Sequence, residues 1–118
     1  MSKLIEALTG INSVWPVAPI SQEPTTTLSQ WQVYRVKSPD GKSWDIHFNG
    51  YTGREGRVCS AVQSYDPKTR RGVTRSGRIY TLSGSSGINR DAQHVWGTWL
   101  HINGNPEHVN VTNEYEVD

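Results

Sequence analysis

The chain has 118 residues, of which 34% are hydrophobic, and a formal net charge of +1. That length fits one domain with a core of its own, and the near-zero balance argues against strong nonspecific attraction to nucleic acid. A single cysteine, Cys59, excludes an internal disulfide, and no apolar run approaches the length of a membrane span.

The first ten residues have one lysine and a broken apolar stretch, a poor match to a signal peptide, so a cytoplasmic protein is the default expectation. Residues 2–9 fit a short helix: Ser2 caps it, Leu4, Ile5 and Leu8 share a face, and Gly10 stops it. Pro16, Pro19, Pro24 and the run Thr25-Thr26-Thr27 then predict an extended linker. Residues 1–28 are accordingly expected to form an N-terminal arm, available to a protein partner or to a second copy of the chain. The globular domain is expected to occupy 29–118.

Trp31 to Lys37 alternates with period two and is rich in β-formers. Pro39-Asp40-Gly41 then supplies a turn, because Pro sets φ and Gly tolerates a positive one. From Ser43 to Phe48 the alternation resumes, with Trp44, Ile46 and Phe48 on one face and Asp45 and His47 on the other. The two runs predict a hairpin. A third strand is expected over Arg57–Tyr65, a short one over Arg71–Arg75 and another over Arg78–Leu82, joined by the turns at Asp66-Pro67 and Ser76-Gly77. Ala92, Val95, Trp96, Trp99 and Leu100 recur at helical spacing, with Asn89 as N-cap and Gly104 and Pro106 as stops, so a helix is predicted over 90–103. Val109 to Val117 alternates again and predicts a last strand. The expected fold is α+β: an antiparallel, strongly twisted sheet or partly open small barrel of about five to six strands, packed on the C-terminal helix through Trp96, Trp99 and Leu100.

Charge is sorted along the chain. Residues 54–90 carry eight Lys or Arg against two acids, and residues 91–118 carry five acids and no Lys or Arg. The segment 68–78 holds five of the cations: Lys68, Arg70, Arg71, Arg75 and Arg78. Two readings follow. In one, the 68–78 hairpin with Arg54, Arg57 and Arg90 contacts a phosphate backbone, while Tyr65 and Tyr80 offer stacking surfaces. In the other, the protein works as a protein–protein module, an inhibitor or assembly factor, through its arm, its acidic last strand or both; the basic hairpin can also simply pair with that acidic strand inside the fold.

Other chemistry is sparse. Gly84-Ser85-Ser86-Gly87, between a strand and a helix start, is a weak candidate for an anion-binding loop, since neither a P-loop lysine nor spaced dinucleotide glycines accompany it. His94 and His101 are two helical turns apart, roughly 10 Å along the axis, too far for one zinc. No metal or cofactor is expected. Cys59 sits among small residues and reads as a buried inert thiol, and no nucleophile elbow or carboxylate pair points to an enzyme. Gly97, in mid-helix, predicts close approach of the helix to a strand. The reading is a small noncatalytic binding protein, with nucleic acid the leading ligand.

Overall fold

The computed structural model describes residues 18–116. The short helix expected at 2–9 lies outside them. Among the described residues seven strands are formed: β1 (Thr25–Lys37), β2 (Trp44–Tyr51), β3 (Gly56–Val58), β4 (Val62–Asp66), β5 (Arg71–Thr74), β6 (Ile79–Leu82) and β7 (His108–Asn110). One α-helix, α1 (Arg90–Ile102), stands between β6 and β7, and a 3-10 turn at Thr112–Glu114 follows.

The strand order is β3-β2-β1-β6-β5-β4, with β7 also paired to β1. The sheet is open. It is also mixed, which corrects the antiparallel expectation: Thr25–Leu28 of β1 runs parallel to Ile79–Leu82 of β6. The cause lies in the triple-threonine run. Three β-branched residues favour a strand over a linker. β1 therefore starts at Thr25, so the expected boundary between 28 and 29 falls inside a single strand.

β1 changes partners along its length. Its first part pairs parallel with β6, and it pairs antiparallel with β2 at Ser29↔Tyr51 and again from Gln32↔Asn49 to Lys37↔Trp44. Between the two stretches the register shifts, and Gln30 takes a φ of +46°. The chain bends there over Gly50, where a side chain would have no room: an added Cβ would lie 3.0 Å from that of Leu28 and 3.1 Å from that of Trp31.

The hairpin of β1 and β2 is as its alternation predicts. Val33 and Phe48 face one core, with Leu28, Trp31, Cys59, Tyr80, Leu82 and Val111. Val36 faces the other, with Val58, Val95, Trp96 and Trp99. Burying a side chain of the size of Leu28 or Leu82 stabilises the fold by about 1.5–3 kcal/mol. The helix docks through stacked rings: Tyr34 lies 3.9 Å from Trp96, and Trp96 lies 5.2 Å from Trp99. Asn89 caps it by accepting from the Ala92 amide, and Gly104 leaves it at a φ of +80°.

Three local expectations are corrected. The single strand expected over Arg57–Tyr65 is two, β3 and β4, broken at the buried Cys59-Ser60-Ala61 where the chain passes between sheet regions. The long last strand is only three residues, because the Asn110 side chain caps the Thr112 amide and the chain turns into the 3-10 segment. Gly97 is exposed, and nothing lies within 4 Å of where its Cβ would be. The close approach falls instead at Gly56, whose added Cβ would sit 2.5 Å from the Asp91 carbonyl oxygen.

Candidate functional site

The cations of 54–90 divide into two populations. Arg57 and Arg78 are 2% and 4% exposed. The sequence reading placed them on a phosphate-binding surface. They instead grip the N-terminal segment. Arg57 Nη1 donates to Glu23 Oε2 at 2.9 Å, and its Nη2 donates to Glu55 Oε2 at 3.1 Å. Arg78 Nη1 donates to the same Glu23 oxygen at 2.5 Å and to the Glu23 carbonyl at 2.7 Å, while its Nη2 reaches the Ala18 carbonyl at 2.6 Å. Tyr80, offered as a stacking surface, is buried, and its hydroxyl accepts from Arg57 at 3.3 Å. Burial raises the Tyr80 pKa to about 12. Burial would also raise that of Glu23, but hydrogen bonds from Arg57 and Thr26 and the charges of both arginines outweigh it, and the carboxyl sits below its ordinary range. A buried cation without a partner is strongly unfavourable, so this cluster is a structural clasp.

The second population is nearer to solvent. Lys68 and Arg71 are exposed, on the turn between β4 and β5 and at the start of β5. Arg75, exposed on the next turn, lies 3.7 Å from Asp45. Arg54 and Arg90 are exposed on the β2–β3 loop and at the first residue of α1. Arg70 is half-buried at a φ of +60°. Its guanidinium carbon lies 5.4 Å from the Trp31 ring centre and its Nη2 donates to the Gly84 carbonyl at 2.9 Å. Tyr65 is half-buried and packs edge-to-face with Phe48 and Tyr115, with ring centres 5.8 and 5.1 Å away. Several cations of the sequence reading thus lie at the surface, while Tyr80, one of its two stacking residues, is buried.

The Gly84-Ser85-Ser86-Gly87 loop does bind a carboxylate, and it is the chain's own. The Ser86 amide and hydroxyl donate to the two oxygens of Glu116 at 3.1 and 2.8 Å, and the Ser86 hydroxyl bond holds the Glu116 pKa below its ordinary value. The loop's carbonyls turn inward, where Trp31 Nε1 donates to those of Ser83 and Gly84 at 3.2 Å each. Gly87 passes beside Gln30, with an added Cβ 3.5 Å from the Gln30 Cα.

Among the described residues no salt bridge joins the acidic C-terminal region to the basic hairpin: Glu114 lies 3.6 Å from Arg35 and Glu107 lies 3.3 Å from Lys37. Within the basic segment Arg75 lies beside Asp45 and Arg78 is paired with Glu23, which sequence reasoning missed. A lone acid in a proline-bearing stretch carries no pattern that would single it out.

One face of β1 and β2 is covered at one end only. Val33 and Phe48 meet the core, but the same face continues through Arg35↔Ile46 to Lys37↔Trp44, and Val109 of β7 pairs with Arg35 on it. Trp44 is 43% exposed and Val109 50%. The Lys37 ammonium lies 5.7 Å from the Trp44 ring centre. No single-residue signal showed this, since alternation assigns a face without saying what covers it.

Groups capable of chemistry are dispersed. The Cys59 thiol is fully buried and burial pushes its pKa up to about 12. His47 is buried with Nδ1 donating to the Cys59 carbonyl at 2.8 Å, and burial lowers its pKa. Among the described residues no three of His, Cys, Asp or Glu converge as metal ligands, and no helix is long and apolar enough to cross a membrane. Comparison with family models, with curated proteins and with solved structures finds no match to the chain.

Proposed function

We propose that this is a noncatalytic binding domain whose partner is another protein, docked on the open end of the β1–β2–β7 face. The observation that carries the reading is a large aromatic, Trp44, left 43% exposed on the same face as Ile46 and, across β1, the half-exposed Val109. Tryptophan at the centre of an apolar patch is the side chain that most often dominates a protein interface. The cations between them on β1, Arg35 and Lys37, already have carboxylates beside them in Glu114 and Glu107. A face that mixes exposed apolar side chains with neutralised ion pairs suits a protein partner. It offers little to a phosphate backbone.

Contact with nucleic acid through the basic hairpin is the second reading. It is supported by Lys68 and Arg71, which are exposed and have no acid within 4.0 Å among the described residues. Arg54, Arg75 and Arg90 would add to it.

The two readings separate by paired variants. Affinity capture from cells of the source organism would use the wild type, Trp44→Ala with Val109→Asp, and Lys68→Ala with Arg71→Ala. A specific protein kept by the wild type and by the hairpin variant, but lost by the face variant, is the expected result. Loss confined to the hairpin variant, together with oligonucleotide binding that falls steeply with salt, would replace the protein reading by the nucleic-acid one.

A further inference from the structure

We infer that the segment Ala18–Leu28 is exchangeable, and that its groove can accept the same segment from a second copy of this chain. The inference is independent of the open β1–β2–β7 face.

The groove holds a turn at Ile20–Gln22, then the Glu23 carboxylate, then an extended stretch from Thr25. At one end two buried guanidinium groups, those of Arg57 and Arg78, converge on Glu23 Oε2. Beyond them the Ile79 amide donates to the Pro24 carbonyl at 2.9 Å, and the parallel ladder with β6 runs on to Leu28, which is fully buried. Without the segment, Arg78 would lose the three acceptors it has among the described residues, the Glu23 carboxylate included, and Arg57 would keep only Glu55 and the Tyr80 hydroxyl. An empty groove is therefore strongly disfavoured, whichever molecule fills it.

The connection to the rest of β1 is where the backbone is strained. Gln30 has a φ of +46°, a region in which a residue with a side chain is held only by its surroundings, and the chain is squeezed there over Gly50. The ladders on either side are regular. Straightening β1 at Gln30 would release that strain and carry Ala18–Leu28 away from its own groove. A second molecule straightened in the same way would fill it. Every clasp and ladder contact is then remade between copies, and only the hinge differs, which is the general basis of strand exchange.

The test places a cysteine pair across the parallel ladder, Thr27→Cys with Thr81→Cys, at positions that face each other in register. Such neighbours meet the separation a disulfide needs, and the native Cys59 is buried. The full chain would be refolded over a hundredfold range of concentration and then oxidised. The expected result is an intrachain bond at low concentration and an interchain bond whose share rises with concentration. Gln30→Gly removes the strain from the bent form and should lower the interchain share severalfold. Gln30→Pro cannot take a positive φ and should raise it. An intrachain bond at every concentration, with or without Gln30→Gly, would overturn the inference even if the proline variant failed to fold. Doubled mass with the bond still intrachain would also overturn it, and would assign association to another surface.

Discussion

Arg57 and Arg78 donate to the same oxygen, Oε2 of Glu23, from β3 and from the residue just before β6. Two positive charges and one carboxylate would be unbalanced, and Glu55 on Arg57 completes the set. The N-terminal segment is thus held by electrostatics in a poorly solvated place, where the loss of one partner leaves the others exposed to the full desolvation penalty.

Glu23→Ala is therefore expected to destabilise the fold by about 3 kcal/mol, the lower end for a broken buried pair since Glu23 keeps some solvent contact. Glu114→Ala, which breaks the exposed contact with Arg35, should cost less than about 1 kcal/mol. Urea unfolding of the two variants side by side checks this. Equal losses would show that the clasp is no stronger than a surface pair.

Two glycines should respond in opposite directions. Gly97→Ala adds a methyl group into open space on a helix and should stabilise by about 0.5–1 kcal/mol. Gly56→Ala drives a Cβ into the Asp91 backbone at 2.5 Å, so β3 and α1 must separate. Thermal melts would read the first as a rise in midpoint and the second as a large fall. A stabilised Gly56→Ala protein would mean that β3 and α1 do not pack as described.

Acid should weaken the fold in two windows. His47 is held below its ordinary pKa by burial, so the unfolded chain takes up its proton first, and stability falls as pH drops below about 6.5. Glu23 is also depressed, and its contribution is complete above about 4.5 and lost as pH falls further. Chemical denaturation from pH 7 to pH 3 should show both. His47→Gln should flatten the upper window and leave the lower one. An unaltered slope between pH 7 and pH 5 in that variant would remove His47 as its source.

Cys59 should react with an aqueous thiol reagent only through opening of the fold. Its side chain is fully buried, burial pushes its pKa up to about 12, and its sulfur accepts from the Phe48 amide at 3.1 Å. Labelling in native conditions should proceed at a small fraction of the rate seen in denaturant and should accelerate in Glu23→Ala. Rapid labelling of the native wild type would contradict the burial of this strand connection.

Local pattern carried much of the architecture. The alternation of 31–37 and 43–48 located the central hairpin, and the spacing of Ala92, Val95, Trp96 and Trp99 located the helix and its buried stripe. Neither signal could place Thr25–Leu28, whose partner is more than fifty residues away and parallel to it. The charge run at 68–78 was visible, but its meaning was not. Burial decides whether an arginine is a ligand or a clasp, and Arg78 and Lys68 look alike in sequence while one is 4% exposed and the other lies open to solvent. Val109 likewise alternates as a core residue would, yet the Asn110 cap on Thr112 ends the strand before anything can cover it.

The parallel ladder also has a kinetic consequence. Thr25–Leu28 is made more than fifty residues before Ile79–Leu82, the strand it lies beside. A nascent chain must therefore carry this β-branched stretch unpaired until its neighbour emerges, and closing so long a loop is slow and entropically unfavourable. We expect the ladder to form after the rate-limiting barrier, so substitutions at Thr27 should speed unfolding and leave refolding unchanged; a slowed refolding limb would place it in the nucleus instead.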